Sequence, residues 1–173
     1  LKERPKWKTI TGGSSTYIKK MIASWKNVKI ITNVKIENIK RCNHKINIYT
    51  KKEMKTFDHV ILAVHADQVL KLLGDANIEE ENTFNSWEYS KSKTFLHTDS
   101  GVMPSEKKVW SSWNFSRITN NKTFLTYYMN MLQPLKTSTD YFVSLNPPYR
   151  PDNILYEIDY SHPIFSKQSI DSR

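Results

Sequence analysis

Phe57 to Gly74 reads FDHVILAVHADQVLKLLG. Val60 to Val64 is an unbroken run of five apolar residues, bounded by polar ones. A short continuous run of this kind reads as a strand buried on both faces, as in a parallel sheet. DQVLKLLG then predicts a short helix closing at Gly74. A buried strand passing straight into a helix gives the surrounding chain a mixed α and β texture, which the flanking stretches either continue or abandon.

Upstream they continue it. ITGGSSTYIKKMIASW holds Gly12 and Gly13, two of only four glycines in the chain. Tyr17, Ile18, Met21, Ile22 and Trp25 then fall on one helical face, with Ser14 or Ser15 placed to cap the helix. A glycine pair before a helix has two readings. One is a tight turn; the other is a backbone opened for an anion at the helix N-terminus. A single Gly-Gly matches neither the P-loop nor G-x-G-x-x-G. Beyond the helix, the pairs Val28 and Ile30, Val34 and Ile36, and Ile46 and Ile48 have strand spacing, with Asn43-His44 as a turn. After Gly74, NIEEENTFNSW has the polar start of another helix.

From about residue 92 the texture changes. SKTFLHTD, KKVWSSWNFS, KTFLTYYMNML and DYFVSLNPP are four strand-like runs separated by the turn signals SGVMPSEK and RITNNK. They predict a mostly antiparallel, aromatic-rich sheet. NPPYRPDN is a loop, because its three prolines exclude regular structure. The expected architecture is therefore α+β. Residues 1–80 form one region of helix, strands and a buried strand; residues 81–173 form an antiparallel sheet.

Composition narrows the function classes. The 173 residues carry a net charge of +9, with 26 Lys and Arg against 17 Asp and Glu. The excess lies in residues 1–75, with 16 basic and 6 acidic residues, while 76–173 have 10 and 11. The basic residues are scattered singly and are mostly lysine, so no nucleic-acid partner is expected. There is no run of about 18 apolar residues, so no transmembrane helix is expected. Cys42 is the only cysteine, which fits a reducing compartment and a cytoplasmic location.

Chemistry-bearing motifs are sparse. The five histidines, at 44, 59, 65, 97 and 162, show no metal spacing, and no metal is expected. His97 and Asp99 occupy alternate positions of one strand, either as an acid–base pair or as a strand end meeting solvent. Cys42 has no activating neighbour. No catalytic acid or base stands out. The aromatics are more informative: Trp110, Trp113, Phe115, Phe124, Tyr127 and Tyr128 fall on two adjacent strands. By alternation, Trp113 and Phe115 share a face and Trp110 takes the other. Trp113, Phe115 and Tyr127 read either as sheet core or as the apolar wall of a substrate pocket.

ITGGSSTYIKKMIASWKNVKIITNVKIENI followed by FDHVILAVHADQ resembles the middle section of the flavin-containing amine oxidoreductase superfamily, which includes monoamine oxidases, protoporphyrinogen oxidase and carotenoid desaturases. LHTDSGVMP, VWSSWNF, YYMNMLQ, YFVSLNPP and YSHPIF look like the bacterial predicted NAD/FAD-binding proteins, which are related to the part preceding the methyltransferase in some cyclopropane-fatty-acid synthases. The resemblance covers residues 4–166. It implies part of a FAD-binding domain joined to a substrate-domain sheet, and FAD as the family's cofactor. It implies that the Val34 backbone meets the adenine end of FAD, that Gly12 and Gly13 form a turn on the cofactor side, and that Ala63 lies in a strand ending near the flavin. The substrate it implies is a small apolar or acyl molecule.

The departures shape the rest. No G-x-G occurs anywhere, although the family opens with a strand–G-x-G-x-x-G–helix unit, and the family's closing glycine-rich segment is also missing. The chain is accordingly expected to be an internal fragment that does not hold FAD alone. A separately encoded N-terminal FAD-binding part is its expected partner. The alternative from another class is a non-catalytic ligand-binding protein, or a vestigial one from a split or decaying gene.

Overall fold

The structure, a computed structural model, describes residues 8–119 and 122–172. It divides into two compact units. One comprises Lys29–Ser90 and Ser161–Arg173, the other Leu1–Val28 and Lys91–Tyr160.

The unit around Lys29–Ser90 is built on an antiparallel meander, β1 (Ile36–Cys42), β2 (Lys45–Thr50) and β3 (Met54–Phe57). Asn43 and His44 take φ of 47° and 61°, so the expected two-residue turn joins β1 to β2. Two helices follow, α2 (Ala66–Leu72) and α3 (Ile78–Asn85). The Asn77 side chain caps α3 by accepting from the Glu80 N–H, and the Glu80 carboxylate accepts from the Asn77 N–H in return. Glu80 also meets Arg41 at 2.5 Å, tying α3 to β1. The apolar centre is small: Ile39 of β1 and Val69 of α2 are its buried members. Gly74 sits where β1 and α2 meet, and its N–H donates to the Ile39 carbonyl at 2.9 Å. A Cβ there would collide with the Asn38 side chain. A larger residue at Gly74 would need the Asn38 and Lys40 side chains to move aside, and α2 itself ends at Leu72 without a left-handed glycine.

Two expectations for this region fail. Val28–Ile30 forms no strand. Val60 to Val64, the expected buried strand, is neither a strand nor buried, and Ile61 is 91% exposed. Val60 and Leu62 are half-buried and line a small hollow with Ile39 and Val69, while Ile61, Ala63 and Val64 point outward. The physical reason is pairing. A buried parallel strand needs a hydrogen-bonded neighbour on each side and a cover on each face, and the described residues supply neither.

The other unit carries α1 (Ser14–Ser24) and most of a five-stranded sheet. The sheet's strands are β4 (Glu88–His97), β5 (Trp113–Thr119), β6 (Lys122–Tyr128), β7 (Phe142–Leu145) and β8 (Ile154–Ile164), in the order β5-β6-β7-β4-β8. The β5–β6, β6–β7 and β4–β7 pairs are antiparallel, as the sequence predicts. The short helix α4 (Met129–Leu132) leads out of β6, and α5 (Lys167–Asp171) follows β8. The strand β8 and the short strand β3 have no clear signal in the sequence. One sheet face is the core: Phe142 is fully buried, with Val102, Met103, Trp110, Phe124 and Tyr128 packed around it. In α1, Gly13 is the N-cap, with φ +83° and no side-chain cap bond, so neither Ser14 nor Ser15 caps the helix. Its apolar residues Tyr17, Ile18, Met21, Ile22 and Trp25 are each between 43% and 46% exposed.

Among the described residues, no helix is long and apolar enough to cross a membrane, and no group of His, Cys, Asp or Glu side chains could hold a metal ion.

Candidate functional site

Strand register sorts the sheet's side chains into two faces. Trp113 lies opposite Tyr127, Phe115 opposite Leu125, Tyr127 opposite Val143, and Leu125 opposite Leu145. These residues share one face. The Trp113 and Tyr127 rings meet edge to face, with centroids 5.6 Å apart. Trp113 is 59% exposed and Phe115 71%, while Tyr127, Leu125, Val143 and Leu145 are half-buried. Trp113 and Phe115 share a face, as alternation predicts, and the strand register brings Tyr127 beside them. They form an accessible apolar wall rather than sheet core.

The opposite face carries the aromatic core and a polar row. His97, Ser144 and Thr126 are fully buried there. The His97 Nδ1 accepts the Asp99 N–H at 3.2 Å, which leaves its proton on Nε2. Nε2 donates to Ser144 Oγ at 2.9 Å, and Ser144 Oγ lies 2.8 Å from Thr126 Oγ1. Burial pushes the His97 pKa down, against the pull of the Asp99 charge. The His97–Asp99 acid–base pair is therefore not formed. The Asp99 carboxylate instead accepts the N–H groups of Gly101, at 2.8 Å, and Asp152, at 3.1 Å. This row escaped sequence reading. Ser144 and Thr126 are ordinary strand residues until the register of three strands brings them to one histidine.

A second polar cluster flanks the core. Tyr128 Oη and Lys107 Nζ donate to the two oxygens of Asp140, at 2.5 and 2.6 Å. Burial pulls the Asp140 carboxyl up, but these two partners outweigh it and hold the group below the usual carboxylate range. The same hydrogen bond raises the Tyr128 hydroxyl. Lys107 lies 5.1 Å from the Trp110 ring centroid, so the cluster braces the aromatic core and offers no free acid or base.

The cofactor-side candidates fall in different units. Gly12 and Gly13 have φ of +81° and +83° and turn the chain into α1, with the Gly13 N–H donating to the Ile10 carbonyl at 3.0 Å. These angles suit glycine and strain any residue with a Cβ. Val34 is 49% exposed and belongs to no strand. Ala63 is exposed within the unpaired Val60–Val64 run. Each of these positions offers backbone groups rather than a charged side chain. Together they do not fit the pyrophosphate, whose cradle is a glycine turn between a strand and a helix; α1 here is preceded by no strand among the described residues.

The model of the family described as flavin containing amine oxidoreductase matches residues 2–144. Among solved structures, the chain is similar to a CLA-producing fatty acid isomerase from P. acnes, with a TM-score of 0.59 and 14% identity over 87% of this chain and 40% of that one. It is also similar to a presumptive protoporphyrinogen oxidase from Exiguobacterium sp. 255-15, with a TM-score of 0.61 and 11% identity over 92% of this chain and 42% of that one. The chain thus spans about two fifths of each of those proteins. No curated protein matches the sequence significantly.

Proposed function

The chain belongs to the flavin-containing amine oxidoreductase family, and from that membership we propose that it acts as the middle section of a FAD-dependent oxidoreductase. In this reading residues 1–80 are a section of the FAD-binding domain and residues 81–173 the substrate-domain sheet. The family's redox chemistry would be supplied by bound flavin, as acceptor of the hydride of a C–H bond while the adjoining C–N or C–C single bond is oxidised to a double bond and a proton is released. The chain's own residues bind and position. The Val34 backbone meets the adenine end, Gly12 and Gly13 shape the turn on the cofactor side, and Ala63 lies near the flavin. Trp113, Phe115 and Tyr127 hold an apolar or acyl substrate and exclude water from it, with the Tyr127 hydroxyl orienting its polar end. No side chain is assigned as acid or base. The fatty acid isomerase among the structural neighbours supports an acyl substrate.

The observation that carries this reading is the accessible aromatic face. Trp113 and Phe115 are exposed on a face continued by half-buried Leu125, Tyr127 and Val143. Apolar patches of this kind mark binding surfaces. A second reading, non-catalytic ligand binding, uses the same accessible aromatic face without flavin.

The test is flavin titration of the purified chain, alone and with a relative's strand–G-x-G-x-x-G–helix polypeptide. Alone, the chain is expected to hold no stoichiometric flavin. With the added unit, flavin fluorescence should change saturably, and the amides of residues 28–35 and 59–64 should become protected. If the added unit brings neither flavin binding nor protection, the oxidoreductase reading fails and the non-catalytic one stands.

A further inference from the structure

The core-side face of the sheet ends in an open cleft of about 950 Å³, separate from the aromatic wall and lined in part by Lys93, Phe95, Pro147, Pro148, Tyr149 and Arg150. Its wall is built before any ligand arrives. Asn146, at φ +50°, accepts the Lys93 N–H on its Oδ1 at 2.9 Å and donates its own N–H to the Lys93 carbonyl at 2.8 Å. Two prolines follow, and the Asp152 N–H then closes on Asp99. A wall tied at both ends and stiffened by proline loses little freedom on binding.

The cations of the cleft are also held in place. The Arg150 guanidinium lies 5.5 Å from the Phe95 ring centroid, and Lys93 Nζ 6.0 Å from it. Both pair with Glu157, at 2.6 and 2.7 Å. Lys93 feels Asp159 as well, whereas among the described residues Arg150 meets Glu157 alone, through Nη1. The other guanidinium N–H groups remain for a second acceptor. A guanidinium edge matches the plane of a carboxylate. Glu157 already offsets part of the positive charge of both cations, and Asp159 acts on Lys93, which disfavours a dianion such as phosphate. Pro147, Pro148 and Tyr149 offer an apolar surface beside the charge.

We propose that this cleft binds a small monocarboxylate with an apolar body, its carboxylate on Arg150 and its body against the Pro147–Tyr149 wall. The site is distinct from the face assigned to the oxidoreductase substrate. Glu157 both positions Arg150 and weakens the ligand's hold by like-charge repulsion.

The test uses 3-phenylpropionate as probe on the full isotope-labelled chain, followed by amide NMR. Saturable shifts are expected at Lys93, Phe95, Tyr149 and Arg150. The neutral 3-phenylpropanamide should bind at least about ten-fold more weakly, since it loses the charge-assisted bond. Arg150→Gln should weaken the acid by about ten-fold or more, Arg150→Lys by less, and Glu157→Gln should tighten it several-fold. Unchanged β6 and β7 amides verify that each variant is folded. If a variant loses the fold, the acid and amide compared on the unaltered chain decide the matter. Absence of saturable shifts at these residues, equal binding of acid and amide, or indifference of a folded Arg150→Gln overturns the proposal.

Discussion

Val60–Val64, VILAV, is wholly apolar, Tyr141–Leu145, YFVSL, is apolar but for Ser144, and their fates are opposite. In the second, Phe142 and Ser144 are fully buried; in the first, Ile61 is 91% exposed. VILAV is the more hydrophobic of the two, so hydrophobicity did not decide. Pairing did. β7 is hydrogen-bonded to β6 on one side and β4 on the other, and its alternate side chains enter the aromatic core. VILAV has no strand neighbour among the described residues. Even a serine is buried where neighbours satisfy its hydroxyl, as His97 and Thr126 do for Ser144. Burial belongs to the assembled sheet, not to the stretch.

The strongest test of that contrast truncates the centre of the paired stretch. Phe142→Ala removes a fully buried ring that contacts His97, Trp110 and Tyr128. It should cost about 3–5 kcal/mol in urea unfolding. A loss under about 1 kcal/mol would show that this core is not cooperative with the rest of the sheet.

A smaller effect comes from the polar row. His97 is buried neutral, and its folded pKa lies below the ordinary value. As pH falls below about 6.5 the unfolded chain takes up a proton that the folded chain refuses, so stability present above that pH is lost towards the depressed folded value. One such proton gives a slope of at most about 1.4 kcal/mol per pH unit. Urea unfolding from pH 7.5 down to 5 should show this slope in the native chain and a reduced one in His97→Gln. Equal slopes would mean that the histidine is not the group responsible.

The smallest effect is expected at the unpaired stretch. Ile61→Asp places a carboxylate at a position already in water, so stability of the chain alone should change by no more than about 0.5 kcal/mol. A loss of several kcal/mol would show that VILAV is covered after all. The same substitution should become costly once a dinucleotide-binding unit is supplied, if that unit pairs with VILAV. That would sharpen the comparison, since one sequence would then show both fates.

Several features were legible without the structure. Asn43-His44 reads as a turn because Asn tolerates the left-handed region, and both residues adopt it. The four strands from β4 to β7 announce themselves by alternation and intervening turn residues. Trp113 and Phe115 were placed on one face by counting in twos, and they share it; only the register of β5 against β6 adds Tyr127. Other features were not legible. His97 and Asp99 look like a pair in sequence, but the backbone N–H of Asp99 reaches the imidazole before its carboxylate can. The cleft beside Phe95 draws Lys93, Arg150 and Glu157 from three separate stretches of the chain. No spacing rule connects them.

By itself the sequence determined the family and part of the local structure: the Asn43-His44 turn, the alternation of β4 to β7, and which blocks occur in which order. Those properties depend on side chains a few residues apart. Tertiary structure alone decided which apolar residues leave water, which polar groups meet, and where cations are held beside an aromatic ring. Those outcomes depend on strand neighbours and register. A strand one residue out of register turns every side chain to the other face, and a strand without neighbours leaves its backbone groups to the solvent.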